Sequence, residues 1–189
     1  MKGISVTSIV VRLCLAASQF AVAAALAAEP PTLAKVYDSQ LTAIESEFVP
    51  LADAMPADKY DFAPSAGEFK GVRTFAQQVK HVASVIYMVA AAARQEKPPV
   101  ELGGENGPDS VAGKEQIMTF LKASFAYAHK AMGALTATNQ LDMVKSPFGS
   151  GEMSRVGAAS IAVWHSFDHY GQMAVYARMN GIVPPASRQ

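Results

Sequence analysis

Four histidines, at positions 81, 129, 165 and 169, are the residues of this 189-residue chain around which chemistry can be built. Two of them stand four apart in His165-Ser166-Phe167-Asp168-His169. If that stretch is helical, both imidazoles lie one turn apart on one face and can converge on a single ion. Two histidines on a solvated or packed face would show the same spacing, so spacing alone leaves both readings open. Two imidazoles also hold an ion loosely, which requires a third ligand from another helix; His81 is the natural candidate. His129, beside Lys130, reads as an ordinary surface or packing residue.

The same residues exclude several metalloenzymes. Ser166 stands where the zinc-protease helix motif requires a Glu as general base. Zinc deaminases need cysteine ligands, and the chain has one Cys, Cys14. Asp168 and Gln172 flank His169 and read first as exposed or helix-to-helix hydrogen-bonding groups, with orientation of a ligand as the functional alternative. Asp38, Glu45 and Glu47 are acid–base candidates on the first helix. With 16 basic side chains against 16 acidic ones and no run of Lys or Arg, the chain lacks the electrostatic footprint of a nucleic-acid binder.

The N-terminal segment has its own character. Lys2 and Arg12 precede an uncharged, alanine-rich run from Leu13 to Ala28, shorter than the roughly 18 to 20 residues a bilayer-spanning helix needs. It ends in Ala25-Leu26-Ala27, the small-x-small pattern of a signal-peptidase site, with Glu29-Pro30-Pro31 beyond. Residues 1–27 are expected to be a cleaved signal, giving an exported periplasmic or secreted domain over residues 28–189 with no stable membrane anchor. Cys14 leaves with the signal, and Leu13 before it does not suit a lipoprotein site. Disulfides, thiolate ligands and a cysteine nucleophile are thereby excluded from the mature domain, which must fold on its core alone.

The rest of the chain shows helical periodicity. Leu33, Tyr37, Leu41, Ile44, Phe48 and Leu51 mark one helical face, which Pro50 should end or kink. Residues 55–71 read as an irregular connection. Thr74-Phe75-Ala76-Gln77 is a capping box opening a second helix to about Gln95, with Phe75, Val79, Val82, Ile86 and Val89 on its face. After a Gly-rich loop, Asp109 or Ser110 can cap a third helix carrying Ile117, Leu121, Phe125 or Ala128, Met132 and Leu135. A loop with Pro147, Gly149 and Gly151 leads to a last helix from about Ser154 to Asn180, stopped by Gly181 and Pro184-Pro185. These elements make an all-α four-helix bundle.

On that frame, three stretches resemble the DinB-like superfamily of four-helix proteins. Met55-Pro56-Ala57-Asp58-Lys59-Tyr60-Asp61-Phe62-Ala63-Pro64 is similar to the segment that family places between its first two helices. Thr74-Phe75 followed by His81 resembles its second-helix motif. His165-Ser166-Phe167-Asp168-His169-Tyr170-Gly171-Gln172, then Tyr176, Arg178, Asn180-Gly181 and Pro184-Pro185, resembles its closing segment. The likeness spans about Leu33 to Ser187.

The resemblance implies a divalent metal ion held by His81, His165 and His169, and a homodimer. Family members of known activity are thiol-dependent transferases or isomerases using bacillithiol, mycothiol or glutathione. An exported chain would rarely meet those cytoplasmic thiols, which weakens the transferase expectation and leaves hydrolytic, structural or sequestering roles. Three imidazoles accept zinc, nickel, manganese, iron or cobalt. Two readings follow: an exported metal-dependent hydrolase or transferase with a three-histidine site, and a non-catalytic metal-binding or stress-associated module.

Overall fold

The computed structural model describes residues 30–188. The expected signal at residues 1–27, with Cys14, lies outside the described residues, as does residue 189. Four helices carry the fold: α1 (Leu33–Ala54), α2 (Phe75–Arg94), α3 (Gly113–Gly133) and α4 (Arg155–Met179). A short antiparallel hairpin, β1 (Met143–Lys145) and β2 (Glu152–Ser154), precedes α4. Among the described residues no helix is long and apolar enough to cross a membrane.

The helix ends follow from local chemistry. Thr32 caps α1 by accepting from the Lys35 amide. Thr74 caps α2 in a complete capping box: its hydroxyl accepts from the Gln77 N–H while the Gln77 side chain accepts from the Thr74 N–H. The other early donors of α2 are also satisfied, Phe75 N–H by the Phe62 carbonyl and Ala76 N–H by that of Tyr60. The connection before α2 thus works as a cap, and the helix turn leading to His81 starts from a fixed point. Ser154 caps α4 through Gly157 N–H, and Gly181 at φ +75° turns the chain out of it, with Ile182 N–H returning to the Ala177 carbonyl.

Packing gives each helix its neighbours. α1 and α2 each lie chiefly against α3 and α4, so α1 and α2 face each other across a diagonal. Phe75, Val79, Val82, Ile86 and Val89 of α2 are fully buried, as are Leu41, Ile44, Phe48 and Leu51 of α1. Phe48 and Phe125 meet at 6.2 Å between α1 and α3. α2 is buried on nearly every side, because the hairpin and the loop after it cover what α3 and α4 leave open.

Several expectations need correction. Pro50 does not end α1, which runs four residues further; it removes one N–H from the ladder, but Leu51, Ala52 and Met55 beyond it are fully buried and hold the turn by packing. Leu33, at the start of the predicted apolar face, is exposed. Neither Asp109 nor Ser110 caps α3. A turn closes from Val111 N–H to the Pro108 carbonyl, and the helix starts at Gly113, where Gln116 reaches back to the Ala112 N–H. The loop expected around Pro147, Gly149 and Gly151 is the turn of the β1–β2 hairpin.

Candidate metal centre

His81 sits in the second turn of α2, and His165 and His169 on successive turns of α4, the helix packed beside it. Their ring centroids are 5.1 Å (81–165), 4.9 Å (81–169) and 4.5 Å (165–169) apart. One nitrogen from each lies within 4.8 Å of the other two, so the three histidines can hold a metal ion.

Each ring is set by a different neighbour. His81 Nδ1–H donates to the Glu105 carbonyl at 2.7 Å and His169 Nδ1–H to Gln78 Oε1 at 2.5 Å, which in the neutral tautomer leaves Nε2 of each with a free lone pair. His165 Nδ1 is buried with no hydrogen-bond partner. A buried nitrogen with no protein partner is costly, and a metal ion is one group that would satisfy it. The chemistry of the donor set suits a transition metal for the same reason.

Electrostatics keep these rings uncharged. Burial, then the charges that His169 and His81 would carry, push His165 down to about 3. Burial, then His81 and Arg73, push His169 down to about 4. His81 is also lowered, by burial first and then by Arg73, against the opposing pull of Glu105. Neutral imidazoles are the form that ligates.

The surrounding shell was only partly legible in the sequence. Gln78, 2% exposed, holds His169 and donates from Nε2 to Gln172 Oε1 at 3.1 Å; Gln172 in turn donates to Asp168 Oδ2 at 3.2 Å. Gln172 is therefore the helix-to-helix bond expected of it, and it also orients a triad histidine through Gln78. Gln78 was missed, although a glutamine three residues before His81 on an otherwise apolar face was a signal. Arg73 was missed too. Its guanidinium bears on all three imidazoles while bonding Glu105 at 2.9 Å and Asn106 at 3.1 Å.

The acid–base candidates of α1 lie elsewhere. Asp38 and Glu45 both bind His129, at 2.6 and 2.9 Å across α1 and α3, and Glu47 bears on Tyr170. None of the three is among the charged groups that bear on the triad. Of the triad, His81 lines a cleft of about 360 Å³, together with Ser84, Val85 and Met88 of α2 and Leu102 to Glu105 of the loop that follows.

The sequence matches the family model of the DinB superfamily over residues 40–173. Among solved structures, it is similar to a DinB-like protein from Bacillus cereus ATCC 10987, at 15% identity and a TM-score of 0.62, over 79% of this chain and 93% of that one. A DinB-like protein from Bacillus subtilis aligns at 16% identity and a TM-score of 0.59, over 77% and 92%. A conserved protein from Enterococcus faecalis aligns at 15% and 0.63, over 79% and 98%. At such identities these likenesses speak for the fold alone. No curated protein matches the sequence.

Proposed function

The chain belongs to the DinB superfamily, and on that premise we propose that His81, His165 and His169 hold one divalent transition-metal ion in an exported enzyme of hydrolase or transferase type. The observation that carries this reading is the convergence of three neutral imidazoles around which the buried Nδ1 of His165 lacks a partner. When bound, an ion on three imidazoles supplies Lewis acidity at its remaining positions. The protein's own groups do the rest. The Glu105 carbonyl and Gln78 fix the rings of His81 and His169. Arg73, held by Glu105 and Asn106, bears on all three imidazoles and favours their neutral, ligating form.

Cleavage after Ala27 and export are part of the same proposal, supported by the composition of residues 1–27, and they favour hydrolysis over thiol transfer. N-terminal sequencing of the exported form should begin at residue 28; a full-length chain in the membrane would contradict it. A homodimer is supported by an exposed apolar stripe on the outer face of α4, comprising Trp164, Phe167, Val175 and Met179. Light scattering should give a dimer for the mature protein and a monomer for Trp164→Glu.

A non-catalytic metal-binding module is the second reading. It is favoured by one observation, that Asp38, Glu45 and Glu47 are engaged away from the triad. Cobalt titration of residues 28–189 tests both readings: ligand-field bands that saturate at one equivalent support the centre, and their absence overturns it. Turnover of an ester, amide or thiol-transfer substrate by the loaded protein, lost in His81→Ala, supports the enzyme. A loaded protein inert to all three classes supports the module.

A further inference from the structure

A second cleft lies next along α2 from the one at His81. Met88 lines both, and the second, of about 700 Å³, is bounded by α2 and the β1 hairpin. The floor runs through His81, Val85, Met88 and Ala92, residues three or four apart on one helical face, and reaches Gln95 just past the helix end. From His81 to Ala92 the helix rises about 17 Å, the length of about five residues of extended chain.

The far wall is a strand edge. Residues 143–147 of β1 and its turn line the cleft, and no residue of β2 does. The ladder fixes which backbone groups face it. Ser146 N–H bonds the Gly151 carbonyl and Arg155 N–H the Asp142 carbonyl, so the hydrogen-bonded pairs with the β2 side are residues 142, 144 and 146. Met143 and Lys145 therefore turn their N–H and C=O away from β2. Among the described residues neither backbone has another hydrogen-bond partner.

We propose that this groove binds an extended peptide segment, which pairs its backbone with the free edge of β1 and brings one end to the histidine centre. The end point at the histidines rests on the metal-centre reading above; the pairing with β1 does not. Peptide is the occupant that the edge selects. An acyl chain of the same length would strip water from the N–H and C=O groups of Met143 and Lys145 and return no bonds, whereas a peptide backbone supplies a donor and an acceptor at each register position. The edge is three residues long, enough for a short segment and too short to recruit a whole sheet.

Recognition through backbone is tolerant of side-chain sequence, so one probe suffices: fluorescein-labelled Gly-Ser-Val-Thr-Val-Ser, followed by fluorescence anisotropy on mature protein with and without zinc. Lys145→Pro removes one outward N–H without touching the ladder to β2, and Lys145→Ala keeps it. The probe should bind with a Kd below about 1 mM, Lys145→Ala should match the wild type within about twofold, and Lys145→Pro should bind about fivefold to tenfold more weakly. The same loss is expected when the probe is N-methylated at its central residues, a test that leaves the protein unchanged should Lys145→Pro fail to fold. Zinc content is measured on the same samples. A protein that takes up no zinc yet distinguishes the Pro and Ala variants loses the metal centre and keeps the groove. No binding at 1 mM, equal binding by the two variants, or equal displacement by decanoate from both overturns the proposal.

Discussion

Two regions of the bundle use the same side chain to opposite ends. At the triad, three imidazoles on α2 and α4 face one another, with a carbonyl and an amide behind two of them, and all three are held neutral. On the α1–α3 face, His129 lies between two carboxylates, one on each ring nitrogen. Burial alone would lower His129, but its hydrogen bonds to Asp38 and Glu45 raise it overall. Both regions take their histidines at least partly out of water, so burial does not decide the role. The groups that face the ring decide it: a neutral acceptor behind one nitrogen frees the other for a metal, while carboxylates on both nitrogens hold an imidazolium and leave no lone pair.

That contrast can be broken most directly by deleting a ligand. His165→Ala should weaken binding of a transition metal by more than about 100-fold, whereas His129→Ala should leave it unchanged; isothermal titration with zinc separates them. Helicity should survive in His165→Ala, because the apolar core holds the bundle. Collapse of the circular-dichroism signal on chelation would reverse that ordering.

Gln78→Leu sharpens the contrast one step further out. Losing the acceptor behind His169 should lower metal affinity about tenfold to 100-fold and shift the cobalt ligand-field spectrum. An unchanged spectrum would show that the bond to Gln78 does not orient the ring.

For His129 the consequence is a pH dependence of known sign. Because its folded value is raised, the stabilisation is complete below the unfolded value of about 6.5 and is lost as pH rises through the folded value. His129→Gln should therefore cost about 1 to 2 kcal/mol at pH 6 and less at pH 9, discounted for partial exposure, as read by urea unfolding. A cost that grows with pH would contradict the carboxylate clamp. The smallest effect is expected away from both regions: Thr74→Ala removes the α2 cap for about 1 kcal/mol, with metal affinity nearly intact.

The bundle was legible because its cores repeat every three or four residues and its caps are local. Phe75 to Val89, the Thr74 box and the Asn180-Gly181 stop are all written in consecutive residues, and the DinB resemblance rests on the same stretches. The histidine spacing on α4 was equally local. What lay hidden depends on distance along the chain. β1 and β2 have three residues each, too few for alternation to register, and Pro147 and Gly149 between them read as loop. Pro50 carries a local signal to stop that tertiary packing overrides. Gln78 and Arg73 act on the triad only because α2, α4 and the loop at Glu105 meet in space. The ends of His129 lie 91 and 84 residues away in sequence, at Asp38 and Glu45, so its clamp could not be read from its neighbours.

The central claim is that the three inward-facing histidines bind an ion and the fourth does not. Elemental analysis of the mature protein, purified without an affinity tag, beside its His81→Ala, His165→Ala, His169→Ala triple variant tests it most directly. About one transition-metal ion per chain in the mature protein and none in the triple variant is the predicted result. A mature protein that takes up no zinc, nickel or manganese on incubation, or a triple variant that binds as much as the wild type, would contradict it.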